Sequence, residues 1–445
     1  MNPRQQAQKA IITSGLESEI FICKSRTLRI NVQGQKVESI ENGSETGFAA
    51  RVISGKKNGF SFSNSSDFSA LLKQAKESSS FMEEDEHCRL FDGSTSNIEL
   101  DIYDEEINKV SEKDKIKAVF EIEKSAYNSD PLIKKTGSVS YIDSETEIII
   151  VNSNGINRSY MTNYCGGYAE AICEKDSMAE EGLGFSFAKK WMDFDPAFAG
   201  KEAGLEAVNL IGGRIIESAT LPVIFDSLVG AEFLDVIAGL VFAESVQKGK
   251  SAFAGKLNTK IASAAVNIVD DALLTKGLGT APFDDEGSPC ETNAVIKNGV
   301  LITYLYNLHT ASKDGVKTTS NASRASFKSP PGTGVANFYI VPGNRTQKEL
   351  ISKISKGVLI TKVMAMHSVN PISGDFSVGA CGFMIENGQR TFPVRGITIA
   401  GNLLDFLRSI EEIGSDLRFS PFASNCGSPS LSISSLSIGG KKPGG

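Results

Sequence analysis

Residues 221–247, with the sequence LPVIFDSLVGAEFLDVIAGLVFAESVQ, contain a strand and a helix that open the second half of the chain. The run Leu221–Phe225 is short and apolar, which predicts a buried strand. After it, apolar residues recur at helical spacing, with Phe233 and Ile237 on the same side. This spacing predicts one long apolar helix from Ser227 to Gln247.

The rest of the chain adds strands and helices without regular alternation between them. Period-two runs predict antiparallel strands within residues 20–52 and 137–174. Helical periodicity predicts further helices at residues 5–14, 67–78, 111–126, 198–219 and 403–414. A closing strand is predicted at 431–438, and the acidic residues 83–96 predict a surface loop. The order predicts the α+β fold class, with an α+β N-terminal domain at 1–219 and a β-rich C-terminal domain at 220–445 that holds one long buried helix.

Asparagine followed by glycine occurs at five places, namely 42–43, 58–59, 154–155, 298–299 and 387–388. This dipeptide supplies the two residues with positive φ that a type I′ turn needs. Most of the five lie between strand-like runs, so the sequence predicts tight β-hairpins at these positions.

Composition and charge exclude several classes of protein. The 445 residues contain 46 lysine and arginine and 53 aspartate and glutamate residues, so the net charge is −7. Such a chain lacks the bulk positive field that non-specific nucleic-acid binding needs, and no direct nucleic-acid partner is predicted. The longest apolar stretch, Val236–Ala243, is far shorter than the ~20 residues that cross a bilayer. Seven dispersed cysteines without a C-x-x-C pair favour a reducing location, and we predict a cytoplasmic protein without a membrane partner.

Histidine is scarce, because the chain contains only His87, His309 and His367. No two of them stand at helical spacing, and the metalloprotease motif H-E-x-x-H does not occur. A metal site built on paired histidines is therefore excluded. We predict no metal site, no cofactor and no catalytic residue of that kind.

Two polar segments and one cysteine are candidates for function. Asp284, Asp285 and Glu286 offer oxygen ligands suited to magnesium or calcium, but the ligand spacing of an EF-hand is missing, which favours a solvated or hydrogen-bonded loop. A second loop combines His367, Asn370 and Asp375 and is either functional or a turn specified by its asparagine, proline and glycine. Cys426 is a candidate reactive thiol, although no histidine or lysine adjoins it in the sequence.

These segments, in this order and spacing, resemble the TldD/PmbA family, and in particular its PmbA branch, which is also called TldE. In the second half the matching segments are Asp270-Asp271, Gly279–Gly287, Ala294–Leu305, Asn321–Arg324, His367–Ser377 and Pro393–Asn402. In the first half they are Gln35–Asn42 and Gly47–Val52. The resemblance implies a dimeric two-domain protein, adds Asn321 and Arg324 to the candidate residues, and covers nearly the whole chain.

The resemblance also implies where a metal would be bound in the TldD branch, which carries an H-E-x-x-x-H helix and a distant cysteine as zinc ligands. Counting back from Gly255 places Leu234 and Gly239 at the two histidine positions and Asp235 at the glutamate position. Cys426 stands near the third ligand position and cannot hold catalytic zinc alone. The resemblance therefore implies a chain that is inactive on its own.

Three functions follow as hypotheses. The first is a non-catalytic subunit that pairs with a TldD-type zinc metalloprotease, forms a homodimer in isolation and helps to enclose a peptide substrate, gripped by exposed strand edges. The second is a metal-independent hydrolase that uses the His367 and Asp375 loop, the acidic group at 284–286, or Cys426. The third is a regulatory binding protein, following the family's traditional description as a modulator of DNA gyrase.

Overall fold

The computed structural model of the chain describes residues 2–93 and 98–441. The helices are α1 Pro3–Ser14, α2 Phe68–Ser79, α3 Glu105–Lys109, α4 Glu112–Ser129, α5 Pro196–Leu210, α6 Ser227–Val241, α7 Ala243–Gln247, α8 Leu308–Asp314, α9 Gln347–Ser352 and α10 Leu403–Ser409. The strands up to residue 225 are β1 Glu17–Gln33, β2 Lys36–Ser54, β3 Lys57–Ser63, β4 Ile133–Asn152, β5 Asn157–Lys175, β6 Met178–Ala188 and β7 Ala219–Phe225. The later strands are β8 Ile268–Asp271, β9 Thr292–Lys297, β10 Val300–Leu301, β11 Ala322–Ser323, β12 Gly332–Thr333, β13 Phe338–Ile340, β14 Lys356–Met364, β15 Asp375–Glu386, β16 Gln389–Asn402, β17 Ile410–Ile413, β18 Arg418–Phe419, β19 Cys426–Ser428 and β20 Leu431–Gly439.

The first part of the chain is built on one six-stranded antiparallel sheet in the order β3-β2-β1-β4-β5-β6. Its strands are long, and the short alternating runs predicted from the sequence are segments of them. Helices α1 and α2 cover one end of the sheet, where Phe68 and Leu71 are buried. Helices α4 and α5 cover the other end, where Ile122 and Ala203 are buried.

The second part contains two six-stranded sheets with α6 between them. One sheet has the order β16-β15-β14-β7-β20-β17, and an additional pairing of β16 with β20 brings its ends together. The other has the order β10-β9-β8-β13-β19-β18. Helix α6 contacts β14 and β7 on one side and β13 and β19 on the other. The α+β fold class predicted from the sequence is confirmed.

The long helix predicted at 227–247 is wrong in one respect, because it is broken at Phe242. This residue is extended, with φ −67° and ψ 123°. The break is stabilised by Leu305, whose N–H donates to the carbonyl of Val241 at 2.8 Å and whose carbonyl accepts from the N–H of Ala243 at 2.9 Å. A bridge to a distant segment therefore outweighs the local helical pattern.

Two other predicted helices extend too far towards their C-termini. The helix predicted at 198–219 ends at Leu210, and Gly212 follows with a φ of +75°. The helix predicted at 403–414 ends at Ser409, and β17 continues from it and pairs with β20. Short apolar runs fit a helix or a buried strand equally well, so pairing across the sheet decides between them.

The hairpin predictions are right at some Asn-Gly pairs and wrong at others. Asn298-Gly299 and Asn387-Gly388 have the positive φ of type I′ turns, and Asn154-Gly155 lies in the turn between β4 and β5. Asn42-Gly43 and Asn58-Gly59 instead pair inside β2 and β3. The turns beside them use residues 34–35 and 55–56, which also have positive φ.

The segment predicted as a surface loop contains no helix or strand between residues 83 and 93, and residues 94–96 lie outside the described part. Within the described residues, no helix combines the length and the apolar character that crossing a membrane requires.

Candidate functional site

The acidic group at 284–286 is a hydrogen-bonded loop, as predicted, but it is buried rather than solvated. Asp284 Oδ1 accepts from the N–H groups of Glu286 at 3.0 Å and Ser288 at 2.9 Å. Its Oδ2 accepts from the N–H of Ala322 at 3.0 Å. Burial, together with the nearby charge of Glu286, raises the pKa of Asp284. These bonds give the carboxylate the role of a fastener that shapes the loop around it.

The same loop joins a buried ionic network that reaches into the N-terminal sheet. Arg51 Nε and Nη2 donate to the two carboxylate oxygens of Glu19, both at 3.0 Å. Arg51 Nη1 donates to Glu286 at 2.8 Å, and Arg324 Nη2 donates to Glu19 at 2.9 Å. The side chains of all four residues are at most 6% exposed. The network therefore ties β1 and β2 to the two loops at 284–287 and 321–324.

Burial and opposite charge compete in setting the protonation of this network. Burial alone lowers the pKa of Arg51, but Glu19 and Glu286 outweigh it and raise that pKa, so the guanidinium stays charged. Asp285 accepts from the N–H of Arg324 at 2.7 Å. Burial raises the pKa of Asp285 to about 6, against the opposing charge of Arg324.

Asn321 holds the neighbouring strand ends together. Its Nδ2 donates to Asp270 Oδ2 at 2.6 Å and to the carbonyl of Gly334 at 2.9 Å. Burial raises the pKa of Asp270 to about 6. Asn321 and Arg324 thus have structural partners on the side of the loops that faces the core.

The loop that carries His367 lies elsewhere and is exposed. Asn370 Oδ1 accepts from the N–H groups of Ile372 at 2.9 Å and Ser373 at 3.2 Å. Asp375 accepts from Asn402 Nδ2 at 2.9 Å, and this bond holds the pKa of Asp375 below its usual value. Among the described residues no hydrogen bond links His367 to Asp375. The geometry matches the turn interpretation, with Asn370 and Asp375 as its fasteners.

The positions on α6 that the resemblance singled out face different surroundings. Leu234 is completely buried in the core of the second part. Gly239 is partly exposed, and a Cβ added there would meet no atom within 4 Å. Asp235 Oδ1 lies 4.0 Å from Cys426 Sγ, which brings together two residues that are 191 positions apart in the sequence.

Cys426 has a structural environment. It is 0% exposed, and burial together with the charge of Asp235 raises the pKa of its thiol. The thiol therefore stays protonated at neutral pH, and a protonated thiol is a poor nucleophile. Across residues 2–93 and 98–441, no three or more histidine, cysteine, aspartate or glutamate side chains are grouped closely enough to hold a metal ion.

Glu232, one helical turn before Asp235, provides a test of electrostatics on α6. Burial, with a smaller contribution from Asp235, raises the pKa of Glu232 to about 7. The folded chain therefore binds the proton more tightly than the unfolded chain, and stability falls as the pH rises from about 4.5 to about 7. We expect Glu232→Gln to increase the free energy of unfolding by about 0.5–1 kcal/mol at pH 8, since the residue is partly exposed, and to have less effect at pH 5. Urea unfolding at both pH values checks this, and an equal effect at both would contradict it.

The sequence analysis missed a cleft of about 1060 Å³ between the first and second parts of the chain. Arg51 and Glu286 line it, together with residues 81–89 and part of α8. Two of the three histidines meet at this cleft. His309 Nε2 lies 2.7 Å from Asp85 Oδ2, and His87 Nδ1 lies 3.2 Å from Ser312 Oγ. The only signal in the sequence was the rarity of histidine, which does not reveal that residues more than 200 positions apart are neighbours.

Three family models cover most of the chain. The model described as PmbA/TldA metallopeptidase domain 1 matches residues 18–79, and the central-domain model matches 105–211. The C-terminal-domain model matches 218–440.

Individual relatives agree with these models. The metalloprotease PmbA homologue of Buchnera aphidicola subsp. Acyrthosiphon pisum is 29% identical over 410 residues, which is 90% of this chain and 88% of that protein. Metalloprotease PmbA of Escherichia coli O157:H7 is 27% identical over 69% of this chain and 66% of its own length. A crystal structure from Thermotoga maritima, of a protein named as a candidate modulator of DNA gyrase, has a TM-score of 0.89 and 29% identity, covering 98% of this chain and 99% of that one.

TldE from Thermococcus kodakarensis has the same fold, with a TM-score of 0.89 at 22% identity over 98% of this chain and 100% of that one. The models, the relatives and the shared fold lead to one conclusion. The chain belongs to the PmbA/TldD metallopeptidase family and is similar to its PmbA (TldE) branch.

Proposed function

We propose that this chain is the non-catalytic subunit of a peptide-processing complex with a TldD-type zinc metalloprotease. The observation that carries the proposal is the composition of α6, which has Leu234 and Gly239 where the resemblance expects the two histidines. No histidine occurs between His87 and His309, so a small error in register does not restore an imidazole to this helix. A zinc site with one thiol and no imidazole lacks the three protein ligands that catalytic zinc requires.

The environment of the remaining positions supports the same function. Leu234 packs in the core with Phe233 and Ile237, where a leucine stabilises the helix. The buried, protonated thiol of Cys426 and the exposed turn around His367 give no support to a metal-independent hydrolase. A dimer, a peptide substrate and a cytoplasmic location remain parts of this proposal.

The decisive experiment is co-expression of this chain with a TldD-type homologue, followed by purification and zinc analysis of each subunit. We expect a stable complex with zinc in the homologue only, and peptidase activity that requires the homologue's H-E-x-x-x-H helix. The isolated chain serves as the control and should contain no stoichiometric zinc. Zinc bound one to one by the isolated chain would overturn the proposal.

The regulatory hypothesis predicts a different result. A gyrase modulator would bind gyrase protein at low salt, since the net charge of −7 disfavours DNA contact. Capture of gyrase by the purified chain, without any complex with a TldD-type partner, would favour that function instead.

A further inference from the structure

A second cleft, of about 400 Å³, lies between α5 and the C-terminal part of the chain, apart from the acidic loop and the ionic network. Its walls come from α5, the start of α6 and the strands β14 and β15. The apolar side chains that line it are Leu183, Phe198, Leu205, Leu210, Leu228 and Phe383. The cleft therefore offers an apolar surface at a seam between two parts of the fold.

Strand β6 presents its free edge to this cleft. It is the last strand of the N-terminal sheet and pairs only with β5. The N–H of Leu183 donates to Glu206 Oε2 at 2.7 Å, and the N–H of Phe185 donates to Glu202 Oε2 at 3.3 Å. The two N–H groups are two residues apart, which is the spacing at which a neighbouring strand presents its carbonyls. Carboxylates from α5 thus occupy places where a strand would bind.

Two glycines bring α5 close enough for this arrangement. A Cβ at Gly182 would lie 2.2 Å from the carbonyl oxygen of Ala203, and one at Gly184 would lie 2.1 Å from that of Ala199. Only glycine allows the helix backbone to approach the strand so closely. The short glutamate side chains then reach the edge of β6.

The two carboxylates on this edge differ in how firmly they are held. Both guanidinium nitrogens of Arg418 donate to Glu202, which fixes that side chain. Glu206 forms no salt bridge among the described residues, and burial raises its pKa to about 7. Asp226, also in the cleft, bonds only to the N–H of Leu228 and to Gln347, without a cation in contact. The cleft therefore holds two carboxylates that a positive charge would complement.

We propose that this cleft binds an extended peptide segment that carries a lysine or arginine beside an apolar residue, and that the segment pairs with the free edge of β6. A carbonyl of the peptide takes the N–H of Leu183 from Glu206, and Glu206 turns to the cation of the peptide. The apolar side chain enters the pocket beside Leu228 and Phe383. This is strand addition with a charge requirement, and taking a peptide as the occupant rests on the proposed function.

The test uses the isolated full chain and a fluorescent hexapeptide, acetyl-Thr-Val-Lys-Leu-Thr-Val-amide, with norleucine replacing lysine in a second peptide. Fluorescence anisotropy gives the dissociation constants. We expect the lysine peptide to bind roughly fivefold more tightly than the norleucine peptide, which corresponds to one charge-assisted contact. In Glu206→Gln the two peptides should bind within about twofold of each other, since the charge is gone but a hydrogen-bond acceptor remains. An unchanged lysine preference in that variant would overturn the proposal.

The main-chain contact is tested by Leu183→Pro, which removes the N–H that the peptide would use. That N–H points away from β5, so the ladder between β5 and β6 keeps its bonds. Both peptides should bind roughly tenfold more weakly. Ala179→Pro is the matched control, because Ala179 lies on the same strand four residues away and outside the cleft. Equal binding by the two proline variants would contradict strand addition.

These outcomes are separate from those of the proposed function. If Leu183→Pro does not fold, as judged by circular dichroism, the lysine and norleucine comparison in Glu206→Gln decides alone. No partner protein is present, so failure to form a metalloprotease complex leaves the binding result unaffected. A complex that forms while the isolated chain binds neither peptide would overturn only this inference.

Discussion

Replacing Arg51 with alanine is expected to reduce the free energy of unfolding by about 3–5 kcal/mol. Arg51 contacts Glu19 through two nitrogens and Glu286 through a third, and all three side chains are nearly inaccessible to water. Without the guanidinium, Glu286 keeps only the N–H of Leu308, at 2.9 Å, as a donor to its carboxylate. An uncompensated buried charge is costly, and this cost is the physical reason for the large effect.

Urea unfolding at pH 7.5, followed by circular dichroism, measures the loss. Arg345→Ala is the matched control, since Arg345 also pairs with a glutamate, at 2.6 Å, but is half exposed. That pair is expected to contribute less than about 1 kcal/mol. Arg51→Lys should fall between the two, because an ammonium keeps the charge but lacks the planar fork that spans both carboxylates. A loss in Arg51→Ala no larger than in Arg345→Ala would show that the network is not stabilising.

The second large effect is expected for Phe233→Ala, at about 3–5 kcal/mol. Phe233 is completely buried on α6, and its ring lies 5.0 Å from that of Phe225, 5.1 Å from that of Phe376 and 5.2 Å from that of Phe406. These rings belong to β7, β15 and α10, so truncation leaves a cavity where α6 meets three other elements. The packing of a protein interior does not collapse fully around such a void.

Scanning calorimetry of the purified variant measures this loss. Phe233→Leu should cost less than about 2 kcal/mol, since it keeps most of the apolar volume. Phe62→Ala is the control, because Phe62 is an aromatic residue of the N-terminal sheet that is 48% exposed. Its truncation should change stability by less than about 1 kcal/mol. Similar losses at Phe233 and Phe62 would contradict the central role of the ring cluster.

Much of the fold was predictable because burial is written locally in the sequence. The alternation around Ile22 and the helical spacing of Leu71 and Leu72 predicted elements that the structure contains. Asp67 and Ser111 were predicted as caps, and their side chains accept from the N–H groups of Ala70 and Asp114. Such patterns depend only on neighbours within a few residues.

The failures have a common cause in contacts made over long distances. The break at Phe242 depends on Leu305, and the strand after Ser409 depends on its pairing with β20. At Asn42-Gly43 the turn propensity is outweighed by pairing with Leu28 and Thr27 in a long hairpin. Local preferences are worth less than about 1 kcal/mol per residue, so a few tertiary hydrogen bonds reverse them.

The candidate residues were chosen from sequence by chemical type, and the structure separates them by location. Asp284, Asp285, Glu286, Asn321 and Arg324 come together around buried loops, whereas His367, Asn370 and Asp375 form an exposed turn. Cys426 lies beside Asp235 instead. Periodicity and residue type carry no information on which distant loops meet, so this grouping was not predictable.

The sequence by itself determined the α+β class, the acidic charge and the lack of any imidazole on α6, because composition and local periodicity are sufficient for each. Only the tertiary structure decided which charges are buried. Arg51 meets Glu286 across 235 positions, and Leu183 meets Glu206 at an edge that two glycines open to a helix. The physical reason is that the strength of a charge depends on the surrounding dielectric, and that environment exists only once distant segments have packed together.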